Sequence, residues 1–480
     1  MPLVAGVDSS TSACKVEVRD ADSGELVSSG RAAHRPTTPP RSEQHPADWW
    51  QAFESAAGIA GVLTDRRLDA ISVAGQQHGM VVLDGDEAVV RPAKLWNDTE
   101  SAPEAAELVA ALGPAAWAEA CGSVPVAAFT IAKLLWLRRH EPEGYRRVRH
   151  VMLPHDWLTR RLSGRIVTDR GDASGTGWWS PAEERYRPDL LELVDPDRDW
   201  SEVLPEVLGP TEAAGTWGAR ADHARADGSW ETLPATIVAP GTGDNMAAAL
   251  GLGMAPGDLA LSFGTSATAF TVSDRPTADA TGTVAGFADA TGRFLPLVCT
   301  LNATKVTDAV ARLLGVSPPE LDALALAAPA GAGGLVLVPH LDGERTPNRP
   351  EATGVLRGLR SDVGREQLAR AAVEGVVCNL LEGADQLPPG GGRVFLVGGG
   401  ARSRAYQQVA ADLLGRPVVV PDADELVARG AALQAAAVLT GRPFAAIADD
   451  WRLQVGTVVE PDPGVDRAAI RAAYAEAADR

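Results

Sequence analysis

The sequence is poor in lysine and cysteine and has no long apolar run. Of its 480 residues, four are lysine and four are cysteine. No apolar stretch approaches the roughly 20 residues that a helix needs to cross a bilayer. The opening MPLVAGVDSS also lacks the basic region, apolar stretch and cleavage site of a secretory signal. We therefore expect a cytoplasmic protein with no membrane partner.

Positive charge is also scarce, because the formal net charge is −19. Nucleic-acid binding depends on Lys and Arg contacts to phosphates, so we expect no nucleic-acid partner. An anion must then be held by local features such as backbone N–H groups and helix ends. The cysteines share no CxxC spacing and lie in apolar segments, which indicates buried reduced thiols rather than disulfides or zinc ligands at Cys14, Cys121, Cys299 and Cys378.

The length favours two domains with a site in the cleft between them. Two stretches, DSSTSACKVEV (8–18) and SFGTSATAFTV (262–272), share the order strand, Ser/Thr turn, strand. An internal duplication explains both stretches. We expect one domain over 1–245 and a second over 246–480.

Strands alternate with helices along the chain, which predicts α/β layers. LDAISVAG, RVFLVGGG and RPVVVPD have the composition of buried strands. The last 30 or so residues predict a helix on the outside. Apolar spacing predicts further helices near 48–63, 103–112, 131–140, 156–162, 365–386, 403–414 and 425–438.

Three turns are suited to phosphate groups. DSSTS offers backbone N–H groups and hydroxyls with Lys15 nearby, and FGTSAT adds Gly264, which permits close backbone approach. VGGGARS (397–403) lies between a strand and a helix, where glycines let a ring or phosphate lie on the backbone. Each has a structural alternative, as a polar hairpin turn or a tight connection.

Two further stretches carry hydrogen-bonding side chains. GQQHG places Gln77 and His78 between glycines, and LWND adds an indole, an amide and a carboxylate at 96–98. Such groups suit a polyhydroxylated ligand, although a lone His or Trp is often structural. In GTGDN, Asn245 can cap the following helix, which leaves Asp244 at its start as a candidate catalytic carboxylate. The alternative is that Asp244 is itself the N-cap.

Taken together, these stretches resemble the FGGY carbohydrate kinases, and within them the branch that acts on D-xylulose. The resemblance runs nearly end to end and in the family's order. It rests on DSSTSACKV, EQHPADWW, AGQQHGMVVLD, RPAKLWND, FTIAKLLWLRRHEPE, LPHDWLTRRLSG, TDRGDASGTGWW, GTGDNMAAALGLG, LSFGTSA, LVPHLDGERTPN, GVLRGL and FLVGGGARS.

The resemblance implies two ribonuclease-H-like domains of the actin and hexokinase type that close over a sugar, ATP and Mg²⁺. It implies transfer of phosphate from ATP to D-xylulose, with Asp244 as the base. A homodimer is possible on this resemblance. The sugar-binding candidates are Gln77, His78, Trp96, Asn97, Asp98 and Asn245. The nucleotide-binding candidates are Asp8, Thr11, Ser12, Gly264, Thr265, Ser266, Gly399, Gly400 and Ala401, with Asp8 also the candidate metal ligand.

The sequence departs from the family pattern at two positions. Ser10 stands where the phosphate turn usually has glycine, so the backbone there must accept a Cβ. Gln77 stands where many relatives have Met, and an amide makes hydrogen bonds that a thioether cannot.

Three alternatives remain at this point. They are a ribulose, gluconate or related kinase of the same family, an actin- or Hsp70-like ATPase, and a sugar-sensing regulator. The sugar-pocket stretches argue against the ATPase. The phosphate turn beginning at residue 8 argues against the added DNA-binding segment that a regulator would normally carry.

Overall fold

The protein is described by a computed structural model that covers residues 2–62, 68–218, 235–423 and 425–479, together with the backbone of 222–224 and 230–232. In the first half the strands are β1 (Leu3–Ser9), β2 (Ala13–Asp20), β3 (Leu26–Ala33), β4 (Glu43–Gln44), β5 (Ala70–Gly75), β6 (Val81–Leu83), β7 (Ala93–Lys94), β8 (His150–Met152), β9 (Val167–Asp169), β10 (Trp179–Ser180), β11 (Arg185–Tyr186), β12 (Glu206–Leu208), β13 (Gly215–Trp217), β14 (Asp222–Ala224), β15 (Trp230–Thr232), β16 (Thr236–Val238) and β17 (Thr242–Gly243). The helices there are α1 (Pro46–Ile59), α2 (Ala102–Leu112), α3 (Pro114–Cys121), α4 (Thr130–His140), α5 (Pro142–Arg147), α6 (Pro154–Ser163), α7 (Arg170–Ala173), α8 (Pro188–Glu192) and α9 (Asp244–Gly251).

The second half has the same alternation of strands and helices. Its strands are β18 (Leu259–Phe263), β19 (Ala267–Thr271), β20 (Ala285–Ala288), β21 (Phe294–Thr300), β22 (Val336–Val338), β23 (Val355–Arg357), β24 (Val394–Val397), β25 (Val418–Pro421) and β26 (Gly456–Val459). Its helices are α10 (Thr304–Leu314), α11 (Pro318–Ala327), α12 (Arg365–Ala384), α13 (Arg404–Leu414), α14 (Leu426–Thr440), α15 (Phe444–Asp450) and α16 (Arg467–Ala478), with 3₁₀ turns at Ala332–Gly334 and Gly399–Arg402.

Each half is built on one mixed sheet. The first sheet has the order β13, β16, β5, β1, β2, β3, with β17 also paired to β5. The second has the order β20, β21, β19, β18, β24, β25, β26. β1 is buried along nearly its whole length, as expected for a central strand with neighbours on both edges.

The two sheets repeat the same unit, which confirms the structural likeness predicted from the two Ser/Thr turns. β1 pairs antiparallel with β2 and parallel with β5. In the same way, β18 pairs antiparallel with β19 and parallel with β24. The α/β fold of two ribonuclease-H-like halves is therefore confirmed.

One helix of the second half packs on the first half. α14 lies against β1, β5 and α9, although in the chain it stands between β25 and β26 of the second sheet. A Cβ added to Gly430 of α14 would lie 1.8 Å from the carbonyl oxygen of Ala247 in α9. The two helices therefore cross with their backbones almost in contact, near the predicted boundary at residue 245.

The predicted helices form, with ends that shift by a few residues. The helix predicted over 48–63 spans Pro46–Ile59, and Leu63 lies outside the described residues. All four cysteines are buried and unpaired, as predicted. Among the described residues, no single helix is long and apolar enough to cross a membrane, and only the bent pair α14 and α15 meets that test jointly.

Candidate active site

A cavity of about 270 Å³ lies between the two sheets, where strand ends from both halves meet. It brings together the sugar-binding candidates Gln77, His78, Trp96 and Asn245, the carboxylate of Asp244, and parts of both Ser/Thr turns. Its lining consists of Thr11, Gln77, His78, Trp96, Asp244, Asn245, Ser262, Gly264, Ser266, Thr268, Phe287, Leu297, Cys299 and Arg345.

His78 is held in a fixed orientation at one wall of this cavity. Its backbone has a φ of 65°, an uncommon conformation for a residue with a Cβ, and its ring stacks on Phe129 at 4.9 Å between centroids. Nδ1 lies 2.7 Å from the carbonyl oxygen of Gly175. Burial and the charge of Lys133 lower the pKa of His78 to about 3. The ring is therefore neutral, Nδ1–H donates to Gly175, and Nε2 is left as an acceptor.

Asp244 is the first residue of α9, and its side chain faces the cavity. Gly243 occupies the N-cap position, and the Asn245 amide donates to Gln77 Oε1 at 2.8 Å and to Asp244 Oδ1 at 3.0 Å. The expectation that Asn245 caps the helix is therefore wrong, and so is the alternative that Asp244 is the N-cap. Both side chains point toward the cavity because β17 ends just before them.

The carboxyl of Asp244 has an unusual protonation equilibrium. Burial first, and then the carboxylates of Asp8 and Asp172, raise its pKa to about 7, while hydrogen bonds from Asn245 oppose the shift. A carboxyl with this pKa accepts and releases a proton near neutral pH, which is the property required of a general base.

A buried charged layer supports the loop that carries Asp244. His155 Nδ1 lies 2.7 Å from Asp172 Oδ2, and Thr242 of β17 donates to Asp169 Oδ2 at 2.8 Å. Burial opposes the charged imidazole, but Asp156 and Asp172 raise the pKa of His155 to about 9. The segment TDRGDASGT therefore holds β17 in place through the hydrogen bond between Asp169 and Thr242.

The first Ser/Thr turn places a buried carboxylate at the edge of the cleft. Asp8 Oδ2 lies 3.2 Å from Lys15 Nζ, while Asp8 Oδ1 is buried without a hydrogen-bond partner among the described residues. Thr11 Oγ1 accepts a hydrogen bond from Trp96 Nε1 at 2.8 Å. Ser10 does not have a positive φ, so this turn accepts a Cβ where the family usually has glycine.

A second cavity, of about 450 Å³, adjoins the first at Gly264. The candidates Thr265, Gly399 and Gly400 line it, and Ser403 caps α13 by accepting from Tyr406 N. The other lining residues come from four helices of the second half, α10 to α13, and from the N-cap of α13. They were not predicted and are Thr304, Thr307, Asp308, Pro318, Leu321, Asp322, Val373, Ser403 and Tyr406.

Five predicted site residues line neither cavity. Asp98 is fully buried and accepts from Ser42 N at 2.8 Å and Lys94 Nζ at 3.1 Å, so its oxygens face inward and not the sugar cavity. Glu43, Asp98 and Glu100 come close enough to suggest a metal site, but Lys94 Nζ already lies within ion-pair distance of all three. The other four that line neither cavity are Asp8, Ser12, Asn97 and Ala401.

Besides Gly264 and Ser266, the second half contributes residues to the first cavity that the sequence did not predict. Phe287, Cys299 and Arg345 come from β20, β21 and the loop after β22. Only Arg345 lies in a stretch that carried the family resemblance. The loop that carries Arg345 is held by Glu344, whose carboxylate accepts hydrogen bonds from Asn302 Nδ2 at 2.9 Å and from Asn379 Nδ2 at 3.0 Å.

Transfer of a phosphoryl group to a hydroxyl requires a place for a polyanion, a place for the acceptor and groups that align them. The two adjoining cavities and the carboxylates beside them meet this requirement, and they define the class of sugar and polyol kinases. The family models agree over nearly the whole chain. The N-terminal domain of the FGGY family of carbohydrate kinases matches residues 3–251, and the C-terminal domain matches residues 259–439. The chain belongs to this family and is a carbohydrate kinase.

Individual relatives support the same assignment. The chain is 48% identical over 467 residues to a xylulose kinase of Streptomyces coelicolor, covering 96% of this chain and 92% of the relative. It is also 48% identical over 471 residues to a xylulose kinase of Streptomyces rubiginosus, with the same coverage. The crystal structure of a xylulose kinase from Bifidobacterium adolescentis is similar, with a TM-score of 0.85, 43% identity and 99% coverage of both chains.

Proposed function

We propose that this kinase transfers the γ-phosphoryl group of ATP to the terminal hydroxyl of D-xylulose, giving D-xylulose 5-phosphate and ADP. The observation that carries the proposal is the placement of Asp244, with a pKa raised to about 7, in a polar cavity that contains part of both Ser/Thr turns. The choice of ketose follows the relatives that are 48% identical.

Asp244 acts as the general base in this proposal. Its carboxylate accepts the proton of the terminal hydroxyl as that oxygen bonds to the γ-phosphorus, and the bond from phosphorus to the ADP oxygen breaks. Asn245 holds Oδ1 of Asp244 through two hydrogen bonds, from its backbone N–H at 2.8 Å and its side chain at 3.0 Å. Oδ2 is then the oxygen oriented to receive the proton.

The two Ser/Thr turns hold the phosphates from opposite halves. Asp8 suits a Mg²⁺ ligand because its buried Oδ1 has no partner among the described residues and Mg²⁺ prefers oxygen donors. Mg²⁺ bound there would offset the charge of the phosphates. The adenosine lies against Gly399 and Gly400, while Gly264 permits close approach of the triphosphate where the two cavities meet.

The function is tested by incubating the purified protein with ATP, Mg²⁺ and a panel of D-xylulose, D-ribulose, L-ribulose and gluconate. We expect the highest kcat/KM with D-xylulose, and ³¹P NMR should identify a 5-phosphate. Preferred turnover of gluconate or either ribulose would instead support the alternative of a ribulose, gluconate or related kinase of the same family.

His78 is expected to bind the ketose through Nε2. His78→Ala should raise KM for the sugar about 10- to 100-fold, because one buried hydrogen bond and the packing around it are lost, and leave KM for ATP nearly unchanged. Steady-state kinetics with each substrate varied in turn measures both constants. His150→Ala, in β8 and outside the cavity, is the matched control. Equal effects on both KM values would return His78 to a purely structural role.

A further inference from the structure

The side chain of Gln77 is almost completely enclosed, yet one of its polar atoms has no partner. Gln77 follows β5, is 5% exposed and lines the cavity of about 270 Å³. Its Cγ lies against Gly243, where an added Cβ would come within 2.7 Å. The glycine therefore leaves room for the amide to sit beside the start of α9.

The orientation of this amide is set by Asn245. Oε1 of Gln77 accepts from Asn245 Nδ2 at 2.8 Å, so the remaining group of the amide is the donor Nε2. Nε2 is buried and has no acceptor among the residues that the structure describes. Leaving a buried donor unsatisfied costs about 1–3 kcal/mol, which points to an acceptor supplied by the substrate.

The position of the donor relative to Asp244 indicates which acceptor it meets. The same Asn245 nitrogen donates to Gln77 Oε1 at 2.8 Å and to Asp244 Oδ1 at 3.0 Å. A single amide nitrogen therefore separates Gln77 from the carboxylate that contacts the terminal hydroxyl. With the terminal hydroxyl placed against Asp244 as proposed, the hydroxyl next to it, on C4, is the acceptor expected nearest to Nε2.

We infer that Gln77 reads the configuration at C4 of the ketose, by donating from Nε2 to the C4 hydroxyl while Oε1 fixes Asn245 against Asp244. This inference rests on the proposed function. A site with a buried donor discriminates strongly against a substrate that fails to place an acceptor there. The enzyme therefore distinguishes D-xylulose from its C4 epimer, L-ribulose, through Gln77, and from its C3 epimer, D-ribulose, through other groups.

The experiment compares kcat/KM for these three ketoses in the wild type, Gln77→Met and Gln77→Glu. Met removes both hydrogen-bonding roles in a chain of similar length, whereas Glu keeps an acceptor for Asn245 and removes the amide donor. We expect the preference for D-xylulose over L-ribulose to fall about 10-fold or more in both variants, in line with the loss of one buried hydrogen bond. The preference over D-ribulose should change less than about 3-fold. Inhibition constants against D-xylulose replace kcat/KM where turnover is too slow.

The variants also separate this inference from a folding defect and from the proposed function. Gln51→Met, an exposed position on α1, is the matched control and should keep both preferences. Thermal melting checks the folding of each variant. Wild-type turnover of D-xylulose with an unchanged C4 preference in the variants, or an equal loss of both preferences, would overturn the inference alone. Failure of the wild type to phosphorylate D-xylulose would overturn the proposed function and the inference together.

Discussion

Replacing Asp244 by Asn is expected to lower kcat by about 100- to 10,000-fold, the usual loss when a general base is removed. The amide keeps the shape of the side chain and still accepts the hydrogen bonds that Asn245 donates to Oδ1 at 2.8 and 3.0 Å. Sugar affinity should therefore change little. Single-turnover kinetics with ATP and D-xylulose, combined with equilibrium binding of the sugar, measures the two effects separately.

The pH dependence should change together with the rate. Burial, Asp8 and Asp172 raise the pKa of Asp244 to about 7, and only the ionised form accepts a proton, so wild-type kcat/KM should fall as the pH drops through about 7. In Asp244→Asn this acid limb should disappear from the residual activity. Asp86→Asn, on an exposed turn, is the control. A near wild-type kcat in Asp244→Asn would remove Asp244 from the chemistry.

Local sequence patterns were sufficient to predict the two hairpins and most helices. The order strand, Ser/Thr turn, strand that opens each half corresponds to β1 with β2 and to β18 with β19. This order could be predicted because its residues lie within about ten positions of one another. GQQHG and GTGDN could be identified as site stretches because each places polar side chains directly after a strand. β17 pairs with β5 in parallel, so both strands end at the same edge of the sheet.

Long-range placement could not be predicted from the same patterns. Asp98 stands next to Trp96 and Asn97 in the sequence, but its carboxylate turns inward to Lys94, which a linear reading cannot distinguish from a ligand contact. Phe287 and Cys299 reach the cavity only because β20 and β21 extend the second sheet beside β19. Both were apolar positions within strands, and such positions usually belong to a core.

The close crossing of α9 and α14 could not be predicted from the sequence either, although glycines make it possible. Gly251 and Gly430 stand in Ala-rich segments, where a glycine ordinarily weakens a helix. In the structure a Cβ on Gly251 would lie 2.0 Å from the carbonyl oxygen of Leu426. A Cβ on Gly6 of β1 would lie 1.9 Å from the carbonyl oxygen of Ala428. The glycines therefore let α14 pack directly on both β1 and α9.

Gly430→Ala is expected to be strongly destabilising despite the higher helix propensity of alanine. The added Cβ would lie 1.8 Å from Ala247 O and 2.7 Å from Gly251 N, and both are backbone atoms of α9 that cannot rotate away. Inserting a methyl group into a packed interior costs about 1–3 kcal/mol and more where the backbone must move. We expect a loss at the upper end of this range or above it, measured by urea unfolding.

The matched control is Gly58→Ala in α1, where an added Cβ meets nothing within 4 Å. There the same substitution should be neutral or stabilising by up to about 1 kcal/mol, since alanine favours the helix. The effect of Gly430→Ala should also reach the active site, because α9 begins with Asp244 and β1 ends beside the Asp8 turn, and α14 contacts both elements. Folded Gly430→Ala protein should therefore show a reduced kcat at temperatures well below its melting point. Equal stability of the two variants would mean that the helices separate at no cost, and that their close crossing does not hold the two halves of the site together.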